Sequence, residues 1–166
     1  HNIQIMGSIG VNVDLAPVAD FPYNKDSFIK RRIPAENEED LSQFNSTYIE
    51  VLHKYGIAST LKHFPGLGTC SDDPHKRIPH SLSSQEAFNR SLMIFQRGIL
   101  SGADLVMTSH AIYDNIDSAN PATFSSHIIQ NILERQLKFK GLIITDDLSD
   151  MPVSNYRGLD SKEAAI

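Results

Sequence analysis

Four stretches of the chain run apolar and then turn polar within a few residues: 11–18 (VNVDLAPV), 57–64 (IASTLKHF), 104–111 (DLVMTSHA) and 141–148 (GLIITDDL). Their shortness and β-branched openings predict buried strands. Between them lie segments of helical periodicity, 38–56, 83–102 and 123–138. In the first, Leu41, Phe44, Tyr48, Val51 and Leu52 recur at the spacing of one helix face, and in the second Phe88, Leu92, Phe95 and Ile99 do the same. Gly56 and Gly102 stand where a glycine ends a helix, and SSQE at 83–86 places a serine before a glutamate as a capping box does. Residues 1–10 read as the tail of a helix and 159–166 as the start of another.

Strand, loop and helix in repetition predict an α/β fold with a parallel sheet and helical crossovers, either an open doubly wound sheet or a (β/α)8 barrel of the TIM type. The polar residues favour the barrel. Asp20, Lys62 with His63, His110 and Asp146 stand at or just past the four strand ends, the end at which barrels keep their chemistry. An open sheet usually carries a phosphate-cradling glycine loop after its first strand, whereas GLG at 66–68 is too short and leads into a loop. A full barrel takes about 250 residues, so residues 1–166 read as one partial domain.

Composition narrows the partner. The 166 residues are 40% hydrophobic and 21% charged, with a formal net charge of −5, the balance of an ordinary globular protein. Acidic and basic residues are mixed along the chain, which leaves no basic face for nucleic acid and no polybasic run for anionic lipid. No apolar run approaches the roughly 18 residues of a membrane span. The single cysteine, Cys70, excludes an internal disulfide and leaves both cytoplasmic and exported settings open. A small polar substrate is the expected partner.

Candidate chemistry concentrates in two places. Asp146 and Asp147 end the fourth strand, where alternation turns only one of them to the active-site mouth and leaves the other to cap or pair. The loop KHFPGLGTCSDDPHKRIPH, 62–80, holds Asp73 and His75 around a proline. A carboxylate two residues from an imidazole can orient the ring and support its protonated form, giving a proton donor, although the same three residues also make an ordinary turn. Cys70, Asp73, His75 and His80 are all metal-ligand types, but their spacing fits no tight zinc pattern, and neither metal nor cofactor is expected. Lys62 and His63 offer donors to hydroxyls of a polar ligand or simply line the rim. Asp20 is either a turn residue or a ligand acceptor.

Taken in order, LAPVAD (15–20), KHFPGLG (62–68), DPH (73–75), VMTSHAIY (106–113) and GLIITDDLSDM (141–151) resemble glycoside hydrolase family 3, and most closely its bacterial β-N-acetylglucosaminidase branch. The resemblance implies a (β/α)8-type catalytic domain, of which this chain matches the middle-to-late half, and a retaining exo-β-N-acetylglucosaminidase acting on cell-wall or chitin-derived glycosides through a covalent glycosyl-enzyme. It implies Asp146 as nucleophile and His75 as acid/base oriented by Asp73. It further implies sugar contacts from Asp20, Lys62, His63 and an arginine, Arg32 or its neighbour Arg31; His110 joins them by its position at a strand end. The chain departs from the family pattern at Leu67 and Cys70, and DDLSDM is one residue longer than usual. Two other readings stay open: a carbohydrate-binding or structural barrel fragment without turnover, and a β-glucosidase-like relative.

Overall fold

The computed structural model describes residues 2–23 and 26–158; the helix start expected at 159–166 lies outside them. Three strands, β1 (Thr60–Phe64), β3 (Leu105–Thr108) and β6 (Leu142–Thr145), form a parallel sheet in that order. The predicted first strand runs beside β1 without forming a continuous ladder. It bridges in parallel at Val13–Ala58 and Val18–Lys62, with Pro17 removing one of its amide donors. Consecutive parallel neighbours joined by helices are the curved wall of a (β/α) barrel.

Helix α1 (Asn2–Ser8) matches the expected N-terminal tail. Helices α2 (Glu38–Lys54) and α3 (Gln85–Leu100) back the sheet. Both end at glycines with left-handed φ, +70° at Gly56 and +93° at Gly102, a conformation that glycine adopts without penalty. The buried face of α2 differs from the periodicity reading. Leu41, Ser42, Asn45, Ile49 and Leu52 point inward, while Phe44 is left 40% exposed. Phe44 instead packs its ring on Tyr48 at the edge of that face.

The caps also differ from expectation. Ser84, not Ser83, caps α3 by accepting the Ala87 amide, so Glu86 is one residue too early to complete the box. Asn37 caps α2 by accepting the Asp40 amide, ahead of Glu38, Glu39 and Asp40 in the first turn, where carboxylates meet the positive end of the helix dipole. The third predicted helix is a π-helix, His127–Gln136, burying Ile128, Ile132 and Leu133.

The core lies between strands and helices: Leu61, Phe64 and Val106 from the sheet meet Leu41, Ile49, Phe88, Leu92 and Phe95 from the helices. Packing is tight enough that a Cβ on Gly98 of α3 would fall 2.6 Å from the Leu61 side chain. Apolar side chains stay exposed at the two edges of the arc, Val13 and Leu15 on one side and Leu142, 62% exposed, on the other.

A second sheet was not foreseen. β2 (His80–Ser81), β4 (Ile112–Tyr113) and β5 (Asp117–Pro121) form it over the strand ends. It ties the far end of the 62–80 loop to the segment after β3, through β2–β4 pairing and a His80–Asp114 contact of 3.0 Å.

Candidate active site

At the C-terminal end of β1 the chain does two things at once. The register against β3 shifts between Lys62 and Phe64, which breaks strict alternation. The backbone then turns sharply, with the Gly66 amide bonding the His63 carbonyl at 2.8 Å. Gly66 sits at φ +125°, and a Cβ there would lie 1.9 Å from Ser91 Oγ. Gly68 has no room at all, since its Cβ would meet the Phe21 carbonyl at 1.6 Å. Ser91 from α3 donates to the Pro65 carbonyl at 2.7 Å, and the buried Tyr113 hydroxyl donates to the Gly66 carbonyl at 2.9 Å. Two helix and sheet residues thus bolt the turn in place.

Inside this turn Asp20 is fully buried. Its Oδ1 accepts the amides of His63 and Leu67 at 3.0 and 2.8 Å, and its Oδ2 accepts the His63 ring Nδ1–H at 2.7 Å. The expectation that Asp20 meets a ligand directly does not match this placement, because its hydrogen-bonding capacity is spent inward on the turn. His63 is itself buried, and its other nitrogen, Nε2, lies 3.7 Å from Oδ2 of Asp146. The Asp146 side chain is 27% exposed.

His110 approaches the same group from β3. Its Nε2–H donates to the Asp147 carbonyl at 3.0 Å, which fixes the tautomer because a carbonyl only accepts. Burial pushes the His110 pKa below its ordinary value and nearby His63 adds to that; the bond to Asp147 and the charge of Asp146 pull it partly back. The ring is therefore neutral at pH 7, and its Nδ1 is a buried acceptor without a partner among the described residues. Lys62 also belongs here. Burial lowers its pKa, Arg32 lowers it further, and Asp146, Asp14 and Asp20 oppose both. Lys62 therefore lies close enough to Arg32, Asp146, Asp14 and Asp20 to feel the charge of each.

The sequence profile described as the glycosyl hydrolase family 3 N-terminal domain matches residues 3–165. The chain belongs to glycosyl hydrolase family 3. A beta-hexosaminidase of Stenotrophomonas maltophilia is 37% identical over 152 residues, covering 90% of this chain and 44% of that protein. Among solved structures, the family 3 beta-N-acetylglucosaminidase of a Paenibacillus species superposes with a TM-score of 0.86 at 30% identity, over 94% of this chain and 31% of its own. A beta-N-acetylhexosaminidase of Beutenbergia cavernae gives a TM-score of 0.82 at 29% identity, over 90% of this chain and 46% of its own. The chain thus spans less than half the length of these relatives. The three-stranded parallel sheet, with the segment 11–18 beside it, is part of the TIM-barrel-like fold of the family.

Within this family 3 scaffold the two aspartates of DDL are divided. Asp146 faces His63, whereas Asp147 folds back to accept the Ser149 amide and hydroxyl, both at 2.6 Å. The Ser149 bonds hold the Asp147 carboxyl below its usual range. Asp147 closes a local turn, and Asp146 is the one turned to His63.

The Asp73–His75 dyad lies apart from these contacts. Oδ1 of Asp73 accepts both the His75 amide, at 3.0 Å, and the His75 ring Nδ1–H, at 2.7 Å. The His75 side chain is 64% exposed, and its ion pair stays within the loop, as does that of Asp72 with Arg77. Arg32 ends a short 3-10 turn, Phe28–Arg32, and is exposed, as is Arg31. Cys70 points into the core, where burial raises its thiol to about 12. Among the described residues no cluster of three or more His, Cys, Asp or Glu side chains could hold a metal ion. Sequence reasoning gave no role to Ser91 or Tyr113, which touch the turn from 26 and 47 residues away.

Proposed function

We propose that the protein carrying this chain is a retaining exo-β-N-acetylhexosaminidase that releases N-acetylglucosamine from cell-wall or chitin-derived glycosides, and that residues 1–166 are part of its catalytic domain. The observation that carries the reading is the strand-end group: a partly exposed Asp146 held beside a buried imidazole, with Lys62 and His110 converging on it. Relatives named as beta-hexosaminidases and beta-N-acetylglucosaminidases support the substrate class.

In this reading Asp146 attacks the anomeric carbon, forming the C–O bond of a glycosyl-enzyme while the glycosidic bond breaks. Imidazolium His75 delivers its proton to the departing oxygen. Water then attacks the same carbon, neutral His75 takes its proton, and the carboxylate of Asp146 leaves. Asp73 holds the ring through Nδ1 and frees Nε2 for transfer. A neutral imidazole in the second step does not repel an anionic acceptor as a carboxylate would. Lys62, His63, Arg32 and His110 hold the sugar; Asp20 stands behind His63.

A fluorinated N-acetylglucosaminide that stalls the second step tests the assignment. Peptide mapping should find the sugar on Asp146. A label on Asp147 would reverse the roles of the two aspartates, and no label at all with intact protein would favour a binding fragment without turnover.

A further inference from the structure

The two oxygens of Asp20 have separate tasks. Two backbone amides, of His63 and Leu67, point at Oδ1, and only the His63 ring points at Oδ2. An ionised carboxylate accepts and never donates, so Nδ1 of His63 carries a proton and Nε2 is the nitrogen turned away from Asp20. That nitrogen looks onto Asp146 Oδ2 across 3.7 Å, a gap too long for a direct hydrogen bond and suited to a shared hydroxyl. His110 also lies near the ring.

We infer that Asp20 is a positioning residue of this site: by holding the Nδ1–H of His63 it fixes the ring and aims Nε2 at a sugar hydroxyl lying next to Asp146. The inference rests on the reading of Asp146 as the nucleophile. It gives the buried carboxylate a role in orienting substrate without any contact to substrate. The backbone bonds to Oδ1 keep the turn, and the bond to Oδ2 sets the orientation of the ring that the sugar meets.

Asp20→Asn separates these tasks. Two amide donors aim at the Oδ1 position, so the side-chain oxygen stays there and the new NH2 faces Nδ1, which must then give up its proton. The ring becomes the Nε2–H tautomer with the turn intact. Long-range proton–nitrogen NMR spectra of the histidine rings read this directly. The expected result is Nδ1–H on His63 in the wild-type protein and Nε2–H in the variant.

In the active protein Asp20→Asn should lower kcat/KM by roughly 10²-fold to 10³-fold, below the roughly 10⁴-fold cost seen where such a change inverts an imidazole that is itself the base. The thermal midpoint should stay within a few degrees. In a His63→Gln background the same substitution should change kcat/KM by less than about 3-fold, since residues acting through one another are not additive.

Wild-type His63 protonated on Nε2 alone overturns the inference even if the variant fails to fold. So does wild-type turnover in Asp20→Asn, or a full additional loss in the double variant. Asp146→Ala run alongside keeps the questions apart: if that variant still turns over, the functional reading fails while the tautomer measurement stands on its own.

Discussion

The molecule contains two aspartate–histidine pairs with the same ring contact of 2.7 Å and otherwise opposite settings. Asp20 and His63 are 43 residues apart, both buried, and fixed by the turn after β1. Asp73 and His75 are two residues apart, on a loop, with the imidazole 64% exposed. The first pair is a product of the fold, and its geometry persists only while four elements pack together. The second is a product of local sequence, and it survives wherever the loop goes. In the proposed reading that contrast divides the labour: the strand ends hold the sugar and Asp146, while His75 sits on a loop that makes its own geometry.

Removing Asp146, the proposed nucleophile, should have the largest effect. Asp146→Ala should lower turnover by about 10⁴-fold or more, because no neighbouring group can form the covalent intermediate in its place. Asp147→Asn should leave the chemical step far less affected, since its carboxylate caps Ser149. Steady-state kinetics on an aryl N-acetylglucosaminide measures both.

Next comes the loop histidine, the proposed proton donor. His75→Ala should slow glycosides with poor leaving groups by about 10²-fold to 10⁴-fold, the usual worth of general acid catalysis. Nitrophenyl glycosides should lose less in the first step and become limited by breakdown of the glycosyl-enzyme, where azide should partly restore the rate. Equal losses on both substrates without azide rescue would place His75 in binding or loop shape.

A third substitution breaks the fixed pair by sterics alone. In Gly68→Ala the new Cβ would overlap the Phe21 carbonyl at 1.6 Å, backbone against backbone. The turn that delivers the Leu67 amide to Asp20 must shift, at a cost of about 1–3 kcal/mol or more. Thermal denaturation should show the loss, and NMR of the His63 ring should show its bond to Asp20 weakened. No comparable effect is expected from alanine at the exposed Lys76 in the loop.

How much of this was legible in the sequence follows the same contrast. The barrel wall, the strand ends and the Asp73–His75 pair could be read because each is encoded within a few consecutive residues. The face of α2 could not, since the sheet takes Asn45 and Ile49 inward and leaves Phe44 at the edge. Strands as short as β2 and β4, two residues each, have no periodicity to detect. The place of Asp20 was the most informative miss. An aspartate after a strand has the same local sequence whether it faces solvent or lies under a turn held by Ser91 and Tyr113, and only the tertiary contacts decide.

The smallest effect is expected from Asp73→Asn, and the reason sharpens the comparison. At Asp20 the ring and the backbone use different oxygens, so an amide must present its NH2 to the ring. At Asp73 both His75 bonds end on the same Oδ1, so asparagine can serve them with its single oxygen and leave the Nδ1–H tautomer unchanged. Only the negative charge is lost, at an exposed site where such pairs are worth about 0–1 kcal/mol.

Asp73→Asn should therefore reduce turnover of unactivated glycosides by only a few-fold, while Asp73→Ala, which also removes the acceptor, should fall between it and His75→Ala. The pH dependence adds a check of sign. Burial tends to raise the Asp73 carboxyl, but the hydrogen bonds from the His75 ring and amide and the charges of His75 and Lys76 outweigh it and hold the carboxyl below its ordinary range. A depressed folded-state pKa stabilises the loop above the unfolded value, near 4, and that stability drains away as pH falls through the folded value. Hydrogen exchange of the His75 amide should report this opening in acid for the wild type, and the asparagine variant should lose the transition. An equally large loss of turnover in Asp73→Asn and Asp20→Asn would remove the distinction between a pair built by the fold and a pair built by the loop.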